Sequence, residues 1–207
     1  MVRLFILKAL LFVLLCFSLG YAQDHVVLAF HGPRGTLDHD YFDQSSEARQ
    51  LLYLVETAHL NPCPHNPRGV FGDIAMGKYQ YAIADLIYTL DRFVNHPKAL
   101  QLMGSLAELT NGPSLAIPYY QRALKLYPQY ALTHAQFGVY LVDTGHINSG
   151  TAELKKAIEI NPNLAIAYAW LASAYSRNGN LESARQAAER ARALGYRGKI
   201  AGQDLAE

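Results

Sequence analysis

The chain has 207 residues, a formal net charge of +1 at pH 7 and 51% apolar side chains. That length holds one ordinary domain or a short repeat array. The balanced charge excludes the clustered Lys and Arg by which proteins grip nucleic acid or an anionic membrane surface.

Residues 1–22 read as a targeting segment. Arg3 and Lys8 give a weakly basic start, Ala9 to Leu19 is an apolar run without charge, and Gly20 and Ala22 supply the small residues a signal peptidase needs before Gln23. The run is shorter than the roughly 20 residues a helix needs to cross a bilayer core of about 30 Å. The expectation is a cleaved secretory signal, cut after Ala22, and a periplasmic or secreted mature protein. A retained anchor extended through Lys8 is the alternative, and membrane contact is expected only through this segment. Cys16 leaves with the signal, so Cys63 stays without a partner for an intramolecular disulfide. Cys63 is then either a buried, inert thiol or an intermolecular contact.

Residues 23–44 are expected to form an extended arm, with one short apolar run from Val26 to Phe30. Residues 45–96 read as a degenerate helical hairpin. Its first helix would be Ser45 to Leu60, carrying Leu51, Leu52, Leu54 and Val55. Its second would follow Gly77-Lys78-Tyr79, with Ala82, Ile83, Leu86 and Thr89 on one face. Between them Pro62, Pro64, Pro67, Gly69 and Gly72 are too many breakers for a helix.

From Pro97 onward the chain repeats at a period of 34, as residues 97–130, 131–164 and 165–198, followed by a tail, 199–207. Small residues fall in columns: Gly104, Gly138 and Ala172; Ala116, Gly150 and Ala184; Ala123, Ala157 and Ala191. The first two columns would let the helices of one hairpin touch, and the third would let the second helix meet the next hairpin. Gly145 and Gly179 mark the turn, with Asn111-Gly112 beside it in the first unit. Pro128 and Pro162 close their units, because proline cannot continue a helix.

These features, and above all Tyr168 to Tyr175, Asn178-Gly179, Glu182-Ser183-Ala184 and Ala188 to Ala191, resemble the tetratricopeptide repeat family. His134 departs from the large aromatic usual at its position, and Tyr196 replaces the closing proline. The stretch Asp91 to Leu100 also resembles exported bacterial proteins of this type. The resemblance implies an all-α helix-turn-helix solenoid that binds a protein or peptide in its concave groove, with no catalysis and no cofactor. The groove wall would be Lys98, Gln101, Ser105, Glu108 and Leu109 from the first unit. Leu132, Ala135, Val139, Val142 and Asp143 would follow from the second, and Ile166, Ala169, Ser173, Ser176 and Arg177 from the third. Gln101, Ser105 and Ala135 stand where some members carry a cationic clamp for a peptide carboxylate, so that clamp is not expected. A homo-oligomer or an envelope assembly subunit is the alternative role.

Two chemical strings fall short of a site. His31-Gly32 after Val26 to Phe30 resembles an esterase oxyanion loop, but no Gly-x-Ser-x-Gly turn accompanies it. His59, Cys63 and His65, with His25, His31, His39 and His96 elsewhere, lack the paired tight spacing of zinc ligands, so no metal is expected.

Overall fold

The computed structural model describes residues 39–61 and 69–200. The expected signal, the arm up to residue 38, the loop holding Cys63 and His65, and residues 201–207 lie outside the described residues, as do His25 and His31.

Nine α-helices make up the ordered framework among the described residues: α1 (Ser46–Val55), α2 (Gly69–Ala75), α3 (Tyr79–Arg92), α4 (Pro97–Leu109), α5 (Ile117–Leu126), α6 (Ala131–Asp143), α7 (Ile147–Ile160), α8 (Ala165–Arg177) and α9 (Leu181–Ala193). A π-helical turn, Glu56–Leu60, extends α1. The only strand-like contact among these residues is a bridge from His39 to Phe93. The fold is the helical solenoid that the columns imply.

The three inner helices α4, α6 and α8 begin at Pro97, Ala131 and Ala165, one period apart. Each hairpin turns on a residue in left-handed backbone: Gly77 (φ 70°), Asn111 (φ 52°), Gly145 (φ 91°) and Gly179 (φ 76°), again one period apart. At each turn the left-handed residue donates back three positions and the next residue donates back five, as in Gly145 to Val142 (3.1 Å) and His146 to Leu141 (2.7 Å). This pair of bonds satisfies carbonyls that the helix end would leave bare. In the first unit Asn111 rather than Gly112 takes the left-handed conformation, which asparagine tolerates better than most residues.

The period also runs upstream of Pro97. Ala48, Ala82 and Ala116 are buried in the column of Gly150 and Ala184, and Leu52, Leu86, Tyr120, Leu154 and Ala188 form a second buried column. The helix facing α3 across the Gly77 turn is therefore α2, where only a linker was expected, while α1 stands in register with the outer helices α3, α7 and α9. The prolines end at Pro67, and the seven residues of the helix, Gly69 and Gly72 among them, suffice for two turns.

The columns of small residues set how closely a hairpin closes. A methyl group on Gly138 would lie 2.7 Å from Leu154 Cγ and 2.9 Å from the Gly150 carbonyl oxygen, so α6 and α7 touch backbone to backbone. In the first unit the residue facing the glycine is Tyr120 in place of Leu154, and Gly104 makes room for the Tyr140 ring (3.1 Å) and the Tyr120 hydroxyl (3.6 Å). Here α5 also starts four residues late relative to α7. A helix begun at Pro113 would carry Pro118 inside it, where the ring meets the preceding turn; starting at Ile117 leaves Pro118 in the first turn.

Downstream, Ile200 is buried among Ala188, Ala191 and Tyr196 in the core of the last hairpin. Upstream, the Asp40–Tyr41 segment is tied to the start of α4 through Asn95, which accepts from the Tyr41 backbone N–H (2.8 Å) and donates to Asp40 (2.7 Å).

Candidate functional site

The inner helices bring their exposed faces to one wall, and a pocket of about 230 Å³ opens in it between α4, α6 and α8. Five of the groove residues expected from the sequence line it: Gln101, Ser105, Glu108, Val139 and Asp143. Tyr120, Gln136, Tyr140, Trp170 and Gly104 complete the lining. Leu132, Ile166, Ser173 and Arg177 stand at partly or fully exposed positions of α6 and α8 outside this pocket.

Two expected contacts are corrected. Ala135 is fully buried and Ala169 is 2% exposed, both within the core that joins α6, α7, α8 and α9. Val142, also expected on the wall, belongs to the same core. Their positions face the neighbouring helices, where a small side chain permits close packing. They shape the wall without meeting a partner.

The floor of the pocket is aromatic. Tyr120 and Tyr140 stack with ring centres 5.7 Å apart, and Tyr120 also stacks on Phe137 at 5.2 Å. Both hydroxyls are occupied, Tyr120 donating to the Leu100 carbonyl (3.1 Å) and Tyr140 to the Pro113 carbonyl. Burial pushes both phenols above their ordinary pKa, so both stay neutral. Beside them sits Gln136, 5% exposed. Its amide nitrogen donates to the Pro97 carbonyl (3.0 Å), while its amide oxygen has no partner.

The charge in the lining is negative. Partial burial, then the neighbouring Asp143 charge, raise the Glu108 carboxyl above its usual value. Asp143 is paired with Arg177 at 2.7 Å, a half-exposed contact of small energetic weight. Glu108, Gln101 and Ser105 have no side-chain hydrogen bond or ion pair among the described residues. The Ser105 hydroxyl accordingly lacks the adjacent base that would activate it as a nucleophile.

The described histidines are all engaged elsewhere. His59 meets Asp85 at 2.8 Å and stacks on Tyr88, His96 meets Glu56 at 3.1 Å, His134 meets Glu153 at 2.7 Å, His39 packs on Phe93, and His146 meets the Thr144 hydroxyl at 3.3 Å. No three His, Cys, Asp or Glu side chains converge among the described residues.

Gly104, Tyr120, Gln136, Tyr140 and Trp170 are the lining residues that repeat reading did not place at the site. Gln136 was legible in principle: it falls one period after Leu102, at a position where an amide is out of place.

A family model described as "Tetratricopeptide repeat" matches residues 153–186, a span from α7 into α9. No curated protein matches the chain in sequence. Among solved structures, YrrB, described as a tetratricopeptide protein with an unusual peptide-binding site, is 18% identical over 72% of this chain and 78% of its own, with a TM-score of 0.48. MamA from Desulfovibrio magneticus RS-1 is 15% identical over 72% of this chain and 86% of its own (TM-score 0.49). TTC0263 from Thermus thermophilus is 19% identical over 61% of this chain and 71% of its own (TM-score 0.47). The family match places a tetratricopeptide repeat at residues 153–186, and the 34-residue register of the turns and the stacked hairpins extend the same helical-repeat fold through the described residues.

Proposed function

We propose that the chain is an exported adaptor that holds a peptide segment of a partner protein in the groove of its inner helices. The observation that carries this reading is the pocket between α4, α6 and α8, where Gln101, Ser105 and Glu108 face open space without internal partners. Polar groups left uncommitted beside an aromatic floor are what a peptide site offers: ring faces for side chains and directional bonds for register. The chain works by binding, not by catalysis. Export rests on the composition of residues 1–22, and the N-terminus of the protein recovered from the envelope or medium tests it: a first residue of Gln23 is expected.

Photo-crosslinking in the native host tests the groove. A reactive probe at Val139 should give a discrete product that mass spectrometry identifies as a different protein, while a control at Lys156 on α7 should not. A product from Lys156 alone, or only with a second copy of the chain, would transfer the function to the outer faces.

That second reading, a self-associating or scaffold subunit, has its own observation. Tyr53 and Tyr81 are each 68% exposed and Leu54 is 56% exposed, on α1 and α3. Large apolar side chains in water at such density mark contact surfaces. Light scattering that shows a strict monomer would remove the self-associating form.

A further inference from the structure

The groove pocket carries two acidic side chains, Glu108 and Asp143, and no basic one in its lining. Asp143 is paired outward with Arg177, whereas Glu108 has no cation or donor among the described residues. Gln136, in the same lining, has a buried amide oxygen without a donor. A bare carboxylate among bare amide and hydroxyl oxygens (Gln101, Ser105, Gln136) calls for a ligand group with several N–H donors and a positive charge. The remaining walls, Tyr140 and Trp170, supply the aromatic faces on which such a group is also stabilised. We infer that the pocket is a specificity site for a basic side chain, lysine or arginine, carried by an extended segment of the partner protein. This rests on the groove reading above and adds to it the chemistry of the residue that is read.

A free small cation fits the surroundings less well than a peptide. Leu109, 54% exposed, follows Glu108 at the edge of the pocket. Phe71 on α2, 56% exposed, stands one period before Ser105 in the column that continues to Val139 and Ser173. Lys98 of the same wall lies 5.2 Å from the Phe71 ring centre, which joins α2 to the groove surface. An apolar ledge beyond an acidic pocket suits a chain that places neighbouring side chains outside it.

The experiment is a peptide array probed with the full chain at about 0.15 M salt, where only short-range charge contacts survive. Each acetylated, amidated peptide has random flanks and one fixed central residue. Arginine and lysine at the centre should bind at least ten-fold more strongly than citrulline, norleucine or glutamate. Glu108→Gln should abolish most of that preference without lowering the thermal melt, because Glu108 holds no internal partner and lies beside the Asp143 charge. Trp170 is the sole tryptophan of the chain and lines the pocket, so its emission should respond to the arginine peptides in solution. Citrulline bound as well as arginine, or a preference that survives Glu108→Gln, overturns the inference and leaves the groove reading standing. Argininamide alone bound as tightly as the peptides overturns the peptide partner. If no peptide binds and Trp170 emission never changes, the inference and the groove reading fall together.

Discussion

Gly138 and Gly150 face each other across the α6–α7 hairpin so closely that a methyl group on Gly150 would lie 2.5 Å from the Gly138 carbonyl oxygen. It would also meet the Val142 backbone nitrogen at 2.9 Å. Both obstacles are backbone, so neither can rotate away.

Gly150→Ala should therefore lower stability by about 1–3 kcal/mol, the usual cost of overfilling a packed interior. Gly145→Ala provides the contrast. Nothing lies within 4 Å of a methyl group there, and its cost comes from left-handed backbone alone, at φ 91°, roughly 1–2 kcal/mol. Pairing each with Leu154→Ala separates the two mechanisms. Removing the Leu154 side chain vacates space against Gly138 on α6 and lets the two helices shift, so it should couple with Gly150→Ala and add independently to Gly145→Ala. Denaturant titration of the single and double variants reads both, and equal coupling in the two pairs would refute the packing account.

Two histidines push the pH dependence of stability in opposite directions. The His134 ring meets Glu153 Oε2 at one nitrogen (2.7 Å) and the Pro128 carbonyl at the other (3.0 Å), and only the doubly protonated ring donates to both. Burial opposes that charge, but the bonds to Glu153 and Pro128 outweigh it and hold the folded pKa above its ordinary 6.5. His134 thus stabilises the fold fully below about pH 6.5, and the contribution is lost as pH rises through the raised folded value. His96 is the reverse case. Burial depresses its pKa against the pull of Glu56, and its Nδ1 accepts the Ala99 N–H at the start of α4, which requires the neutral ring. Stability from His96 is present above about pH 6.5 and falls as pH drops towards its lowered folded value. Melting temperature should peak near pH 6.5. His134→Gln should flatten the alkaline limb between about pH 6.5 and 8 and leave the acid limb in place; a change on the acid limb instead would reverse the assignment.

Asn95 pins the chain entering α1. It is fully buried, accepts the Tyr41 N–H and donates to Asp40, whose other oxygen accepts the Tyr130 hydroxyl at the start of α6. Asn95→Ala strands the Tyr41 N–H and should cost about 1–3 kcal/mol. Limited proteolysis should then cut between residues 39 and 45 well before the repeats unfold. Cleavage at an unchanged rate would show that the His39 bond to the Arg92 carbonyl (2.8 Å) holds the segment unaided.

How much of this was legible in the sequence follows from what each column has to do. Gly138, Gly150, Ala157 and Ala191 announce the hairpins because a solenoid needs small residues at fixed intervals, and that need recurs in every unit. The helix α2 was hidden because seven residues after a run of prolines and glycines offer too few turns for a periodic pattern. Its only signpost is Gly77, one period before Asn111. In the groove, Glu108, Val139 and Asp143 were legible because exposed inner-helix positions repeat faithfully. Ala135 and Ala169 were not, since whether a small residue faces the groove or the next helix depends on how far each hairpin tilts. Tyr120 entered the pocket for a reason confined to one unit: the late start of α5 and a ring too large for the place that Leu154 takes in the next hairpin.

The unpaired oxygen of Gln136 makes a last prediction that ties stability to binding. A buried acceptor without a donor costs about 1–3 kcal/mol, and the amide nitrogen of the same side chain recovers part of this through the Pro97 carbonyl. That carbonyl opens α4 and keeps its place in the helix ladder without Gln136. Gln136→Leu removes the unpaired oxygen while roughly preserving volume, so the free protein should melt a few degrees higher, at about 2–4 °C per kcal/mol for a chain of this size. The same substitution should weaken capture of arginine-centred peptides, because the pocket then loses one of the acceptors that stand with the Glu108 carboxylate. A scan of melting temperature beside a Trp170 titration measures both. A variant both more stable and equally tight in binding would remove Gln136 from the site and leave Glu108 to read the cation.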